Sequence, residues 1–314
     1  MQDQKAYHFF QDHGFLPLGK SSYPLFKEYE PYSELQEMSA VMLTAWSAAS
    51  RGLYTIILGH LCGVYFYEHK PVSFTIHRKP EPREYSLQKV IDILYGLSQE
   101  AELPFLCVKF IDEGYVPEFQ ALEGYDISPE FSRDNCEYVY KNADFLDLTG
   151  KINAMKRRRL NTCFKDPSIT FQPITNKTIG LCLSIQEAWC EKKDCLQCAS
   201  YCGCEKEALN IMIDIFDENI HKGLFLRVDH IPRGYIISEP VSKKRSCLYF
   251  GKGLNHNHYL YGLYMTAQSD NADYFNFNED MGSEGLRQFK THLGRYSLLN
   301  KYICRFKKKE KPDP

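Results

Sequence analysis

The sequence predicts an α/β fold made of mixed sheets in two tandem lobes, and three observations carry the prediction. With 314 residues and 44% hydrophobic content, the chain is past the size at which one core suffices, so two lobes of ordinary domain size are expected. Short β-rich runs bounded by turn residues alternate with stretches of helical periodicity. One element order then occurs twice without visible sequence identity between the halves, which points to duplicated lobes rather than short solenoid repeats. The aromatic content of 14%, with 22 Tyr and 20 Phe against 2 Trp, suits strand-rich packing and pockets with a polar rim.

Taken in order, residues 33–49 place Leu35, Met38, Met42, Ala45 and Trp46 at helical spacing behind Ser33 as a cap. The runs LYTIILG, CGVYFYE and VSFTIHR read as three antiparallel strands, followed by a helix over 86–100 and a buried strand, LPFLCVKF. Residues 138–148 read as a further strand and its exit. In the second half, 179–191 and 205–221 read as helices, GLFLRVDH, PRGYIISEP and SCLYFGKG as strands, 262–271 as a helix, DYFNFN as a strand and 284–293 as a closing helix. The expected division is a first lobe over 1–150, a second over 151–306, and a frayed charged tail over 307–314.

The formal net charge of −2 conceals an asymmetry: 12 Lys+Arg stand against 22 Asp+Glu up to Gly150, and 26 against 18 after it. An acidic first lobe and a basic second lobe make a polyanionic partner for the second plausible, and solvated faces that merely differ explain the numbers equally well. The most apolar stretch, residues 53–67, is interrupted by Gly59, His60 and Gly63 and falls short of the ~18 residues a membrane helix needs. The N-terminus lacks the basic start and apolar core of a secretory signal, so the 12 cysteines are expected to be reduced thiols in the cytoplasm.

Three blocks resemble the C-terminal family of phosphatidylglycerol lysyltransferases. In DLTGKINAMKRRRLNTCF, the residues Gly150, Lys151, Lys156, Arg157 and Asn161 fall in register with that family's lobe-joining motif. In AWCEKKDC, the residues Trp189, Cys190 and Cys195 match its Trp-Cys and later Cys. The most specific block is FNFNEDMGSEGLRQFK, where Asn276, Glu279, Asp280, Gly282, Gly285, Leu286, Arg287 and Lys290 match. The resemblance spans about residues 20–305 and implies two GCN5-related acyl-CoA N-acyltransferase (GNAT)-like lobes. It further implies transfer of an amino acid from aminoacyl-tRNA to a hydroxyl or amine acceptor such as phosphatidylglycerol, with a lipid headgroup or other small acceptor as partner and no cofactor. The sequence departs from the family at Gly251, where a carboxylate precedes the retained Lys252, at Phe277 in place of an arginine, and at Arg158 in place of an asparagine.

An aminoacyl ester is already activated, so catalysis consists of holding the acceptor near the carbonyl, removing its proton and steadying the oxyanion. Glu279 and Asp280 leave a strand end, and Arg287 and Lys290 lie one turn apart on the next helix, so these four are the candidate catalytic residues. The same spacing also suits a scaffold in which Asp280 caps the helix and pairs with Arg287. Candidate substrate-binding residues are Asn276, Lys252, Lys156, Arg157 and Asn161, the last three beside a basic run that meets a tRNA backbone or a lipid phosphate, or simply faces solvent. His256 and His258, expected in a loop, are candidate bases or surface turn residues. Cys195, Cys198, Cys202 and Cys204, near Cys190, are weak metal candidates because two paired CxxC knuckles are lacking; no metal is expected.

Two other functions fit the architecture. A coenzyme-A-dependent N-acetyltransferase needs a glycine-rich loop whose amides face a pyrophosphate at a helix start, and residues 255–264 offer only Gly262. A non-catalytic binding protein on a degenerate GNAT scaffold fits the replacements at Gly251 and Phe277.

Overall fold

A computed structural model describes residues 2–30, 33–67, 70–78, 86–193 and 204–310. The chain divides into two compact units, Met1–Arg133 with Asn300–Pro314, and Asp134–Leu299. The first contains α1 (Gln2–Asp12), β1 (Leu16–Pro17), α2 (Tyr23–Tyr29), α3 (Ala40–Ala45), α4 (Ser47–Ser50) and β2 (Leu53–Ile57). It continues through β3 (His60–Tyr65), β4 (Ser73–His77), α5 (Leu87–Glu100), β5 (Leu106–Asp112), α6 (Val116–Gln120) and β6 (Tyr125–Phe131). The last strand of the chain, β14 (Lys301–Lys308), returns to this unit, giving the sheet order β1-β2-β3-β4-β5-β14-β6. All neighbours are antiparallel except β4 and β5, which are joined through α5 and pair in parallel at Phe74↔Val108. Helix α5 buries Leu87, Val90, Ile91 and Leu94, the 3-4 spacing that turns one stripe to the sheet. It starts after Ser86, whose backbone is extended, as an N-cap requires.

The second unit contains β7 (Glu137–Lys141), α7 (Asn142–Leu146), α8 (Ala154–Phe164), β8 (Ile169–Pro173), α9 (Leu181–Lys193), α10 (Glu205–Ile215) and β9 (Lys222–Val228). It ends with β10 (Ile231–Pro240), β11 (Arg245–Gly253), α11 (His256–Ser269), β12 (Tyr274–Asn276), α12 (Glu284–His292) and β13 (Ser297–Leu299). The sheet order is β13-β7-β12-β11-β10-β9-β8, antiparallel except for the β11/β12 pair joined through α11. Its core gathers Tyr138 and Tyr140 of β7, Phe145, Leu160, Leu260, Leu263, Phe275 and Phe277.

Four expectations differ from the structure. The units part at Arg133/Asp134 rather than at Gly150, because β7 hydrogen-bonds to β12 and β13 and so belongs to the second sheet. Residues 307 and 308 are not frayed: they continue β14, with Lys308 opposite Tyr125 and its ammonium 5.3 Å from that ring. The single helix over 33–49 is broken. Ser39 is extended and caps α3 by accepting from Met42 N at 3.2 Å, Trp46 interrupts the helical ladder, and Arg51 ends α4 in the left-handed region at φ 43°. Finally, His256 and His258 lie in the first turn of α11, which starts earlier than its apolar periodicity suggests because Asn255 caps it, accepting from Asn257 N at 2.8 Å.

Candidate active site

In the second unit the parallel pair β11/β12 is in register from Arg245↔Tyr274 to Cys247↔Asn276, where β12 ends while β11 runs on to Gly253. The sheet therefore opens at the carboxyl ends of two parallel strands, the place where open α/β sheets bind ligands. One edge of the opening is the loop after β12, and the other is the free length of β11 with the start of α11 behind it.

Lys290 organises the loop. Its side chain is buried and donates to the carbonyls of Phe277 at 2.6 Å, Asn278 at 3.0 Å and Glu279 at 2.5 Å, so consecutive peptide groups wrap around one ammonium. Asn278 and Met281 adopt left-handed backbone, φ 58° and 52°, a conformation that persists in bulky residues when neighbouring contacts hold it. Asp280, fully buried, accepts from Arg287 Nε and Nη2 at 2.9 Å each, from Tyr138 Oη at 2.6 Å and from Gly282 N at 3.0 Å. Burial alone raises a carboxyl pKa, yet these donors outweigh it and hold Asp280 well below the usual carboxylate range. Arg287 also pairs with Asp134 at 2.5 Å. Gly282 is required here: its φ is 72°, and a Cβ would stand 2.9 Å from Asp134 Oδ2. Asn276 donates to buried Glu137 at 2.6 Å and accepts from Asn278 N. Asn276, Asp280, Arg287 and Lys290 thus hold one another and the loop, while Glu279 sits half-buried on that loop.

At the other edge, Lys252 extends from the end of β11 over the ring of Trp189 at 4.6 Å and pairs with Glu205, the first residue of α10, at 2.6 Å. Tyr235 donates to Gln186 at 2.9 Å beneath them, and Gln186 in turn donates to Cys190 Sγ at 3.4 Å. Gly251, just before Lys252, is closely packed. A Cβ there would lie 2.8 Å from Ile236 Cδ1 and 3.0 Å from the Tyr259 ring. Phe277, in place of the arginine, is buried against Tyr140, Phe145 and Phe275.

Helix α8 carries the basic run with its members facing different ways. Lys156, Leu160 and Cys163 point inward at i, i+4, i+7. Lys156 donates to Phe145 O at 2.6 Å, and burial lowers its pKa to about 8. Arg157 fastens the preceding loop by donating to the carbonyls of Leu148 and Gly150. Arg158, Asn161 and Lys165 are exposed and, with Arg157, line a shallow surface depression. Arg159 donates to His256 Nε2 at 2.5 Å, and burial, with that guanidinium beside it, lowers the His256 pKa. Burial likewise lowers that of His258. Cys195, Cys198 and Cys202 lie outside the described residues, and Cys204 is exposed; among the described residues no cluster of metal-ligating side chains occurs. No helix of the described residues is long and apolar enough to cross a membrane.

The sequence profile of the family described as phosphatidylglycerol lysyltransferase, C-terminal, matches residues 84–305. The chain belongs to that family. Among solved structures, a conserved protein of unknown function from Bacteroides thetaiotaomicron VPI-5482 is 20% identical with a TM-score of 0.82, over 94% of this chain and 99% of the other. The C-terminal domain of a putative lysylphosphatidylglycerol synthetase from Agrobacterium fabrum is 9% identical with a TM-score of 0.62, over 90% and 92%. L-PGS from Bacillus licheniformis is 12% identical with a TM-score of 0.61, over 91% of each chain. At these identities the structures speak for the fold, which is that of tandem GNAT-like lobes built on two mixed sheets. No curated protein matches the chain. For a member of this phosphatidylglycerol lysyltransferase C-terminal family, the pair Lys252–Glu205 is the feature the sequence half-revealed: the family motif marks Lys252, whereas nothing in the spacing marks Glu205, 47 residues away, as its partner.

Proposed function

We propose that this protein is an aminoacyltransferase that moves an aminoacyl group from a charged tRNA to a hydroxyl or amine acceptor, with the reaction at the β11/β12 opening of the second unit. The observation that carries the reading is the Lys252–Glu205 pair set on Trp189 at the open end of β11. The acceptor oxygen or nitrogen attacks the ester carbonyl carbon, Lys252 stabilises the oxyanion, and the bond to the ribose oxygen breaks. Glu205 takes the acceptor's proton and passes it to the departing ribose oxygen. Glu279 binds the donor's α-ammonium, and Asp280, Arg287, Asn276 and Lys290 act as positioning residues that fix the loop bearing it. The exposed face of Arg158, Asn161 and Lys165, with Arg157, takes the tRNA phosphates.

Family membership supports this reading, as does the fold shared with L-PGS and with FemX, which matches at 10% identity with a TM-score of 0.57 over 90% of this chain and 95% of the other. Use of coenzyme A is the weaker alternative. Asn255 already caps the α11 amide of Asn257, and a Cβ at Gly253 would stand 2.7 Å from Tyr259 N, so little room is left at the helix start where a pyrophosphate would be held. The test is transfer of radiolabel from mixed charged tRNAs to phosphatidylglycerol vesicles and to amine-bearing peptides. Transfer by the native protein, reduced at least about 100-fold by Lys252→Met and Glu205→Gln, supports the proposal; acetyl transfer from acetyl-coenzyme A with no aminoacyl transfer overturns it.

A further inference from the structure

Helix α8 ends in an aromatic ring that water reaches. Phe164, its last residue, is 42% exposed, although it belongs to a group of four rings drawn from three elements. It meets Tyr261 and Tyr264 of α11 at 5.0 and 5.7 Å between ring centres, and Tyr261 meets Phe171 of β8 at 4.8 Å. The interplanar angles are 85°, 71° and 87°, so the contacts are edge-to-face and no described ring lies flat against Phe164. A single exposed phenylalanine needs no explanation, but a ring held at the margin of an aromatic cluster is a surface on which a base can stack.

The surroundings are cationic. Along α8, Arg157, Asn161 and Phe164 follow one another at i, i+4, i+7, and Arg158, Thr162 and Lys165 form the row beside them. The five polar members of these rows line a surface depression of about 460 Å³, and the ring stands beside it. The other cations of the helix are committed, Lys156 to Phe145 O, Arg157 to the carbonyls of Leu148 and Gly150, and Arg159 to His256. Arg158 and Lys165 are exposed and make no ion pair among the described residues, and the side-chain amide of Asn161 makes no hydrogen bond among them. The carboxylates next in sequence face their own loops: Asp166 accepts from Ser168 N and Oγ at 3.0 and 2.6 Å, and Asp147 accepts from Thr149 N at 2.8 Å.

Tyr259 turns to β11, its ring 3.0 Å from a Cβ at Gly251, whereas Tyr261, two residues on, turns to Phe164 and Phe171. Helix α11 thus stands between the exposed ring and the β11/β12 opening, a separation of at least about one helix diameter, 10–12 Å. That distance points to a base further along a strand than the nucleotide that carries the ester.

We propose that Phe164 is the stacking platform for an unpaired base near the 3′ end of the RNA, with Asn161 at the edge of that base and Arg158 and Lys165 on the adjoining phosphates. The identity of the strand rests on the transfer reading above, and the platform rests on the exposed ring and the cations beside it. Every base has a flat face, so stacking secures a strand without reading its sequence, while the cations add an attraction that salt screens. An anionic lipid surface would engage the same cations but offers no ring to stack.

The probe is a single-stranded RNA tetranucleotide carrying 2-aminopurine at each position in turn, so that stacking is read as fluorescence quenching. Native protein is expected to bind it and to quench a position other than the 3′-terminal one. Phe164→Leu is expected to weaken binding at least about fivefold and abolish the quench, by the same factor at about 50 and 200 mM salt because no charge is altered. Phe164→Trp is expected to restore both. Neither AMP nor coenzyme A at about tenfold excess is expected to displace the tetranucleotide, and Phe164→Leu is expected to leave binding to phosphatidylglycerol vesicles unchanged. The proposal is overturned by native protein that neither binds nor quenches, by an unaltered constant in Phe164→Leu, by displacement with AMP or coenzyme A, or by a Phe164→Leu loss confined to vesicles. Aminoacyl transfer is assayed alongside. Binding and quenching without transfer overturn the transferase reading and uphold the platform, whereas transfer with Phe164→Leu binding unaltered overturns the platform alone.

Discussion

Replacing Lys290 by methionine removes the ammonium on which the loop after β12 is wound, while keeping the length and most of the volume of the side chain. Three carbonyls, those of Phe277, Asn278 and Glu279, lose their donor. Each carbonyl left unsatisfied costs about 1–3 kcal/mol, and relief from burying the ammonium offsets part of the total. Water reaches the outer side of the loop, because Asn278 and Glu279 are only half-buried. A net loss of about 3 kcal/mol follows, which in a domain of this size lowers the melting midpoint by roughly 6–12 °C. Thermal unfolding followed by circular dichroism measures it, with Gln288→Ala on the exposed face of the same helix as the comparison, expected within about 0.5 kcal/mol of native. A Lys290→Met loss below about 1 kcal/mol refutes the idea that the ammonium holds the loop.

Lys156 gives a pH signature. Its folded pKa is depressed to about 8 by burial against about 10.4 unfolded, so between those values the unfolded chain binds more protons and stability rises with pH. Native protein should gain about 1–3 kcal/mol relative to Lys156→Met across that window; parallel profiles contradict the assignment. Gly251→Ala should destabilise by about 1–3 kcal/mol through overpacking against Ile236 and Tyr259, read by denaturant titration, whereas a neutral effect means the site has slack. Arg158→Glu with Lys165→Glu should weaken tRNA binding and flatten its dependence on salt by at least about one unit of log–log slope. An unchanged slope removes α8 as the phosphate surface.

Much of the fold was legible because its elements advertise themselves locally. The stripe Leu87, Val90, Ile91, Leu94 fixes α5, and the β-rich run at 73–77 fixes β4, all of whose residues are buried. What local pattern does not encode is which sheet a strand joins. Residues 137–141 read as a strand in either lobe, and only the pairing of Tyr140 with Phe275 and of Val139 with Ser297 assigns them to the second. The charged ending hid β14 for a related reason: it is held by long-range pairing to Leu106 and Ile127, invisible to periodicity. At the site, the motif from Asn276 to Lys290 was legible as a block, but the division of labour within it was not. Spacing places Arg287 and Lys290 one turn apart without telling that one holds Asp280 and the other three carbonyls. Glu205 carried no signal at all, since an acidic residue in a helix's first turn is what the helix dipole favours anyway.

The account stands or falls on where the transferred group sits. A crystal structure with a non-hydrolysable 3′-aminoacylamide of adenosine is expected to show the acyl carbonyl between the end of β11 and the loop after β12, its oxygen within hydrogen-bond distance of Lys252 Nζ and the ribose towards α8. Density for the analogue at any other place, with Lys252 and Glu205 still paired and untouched, contradicts it.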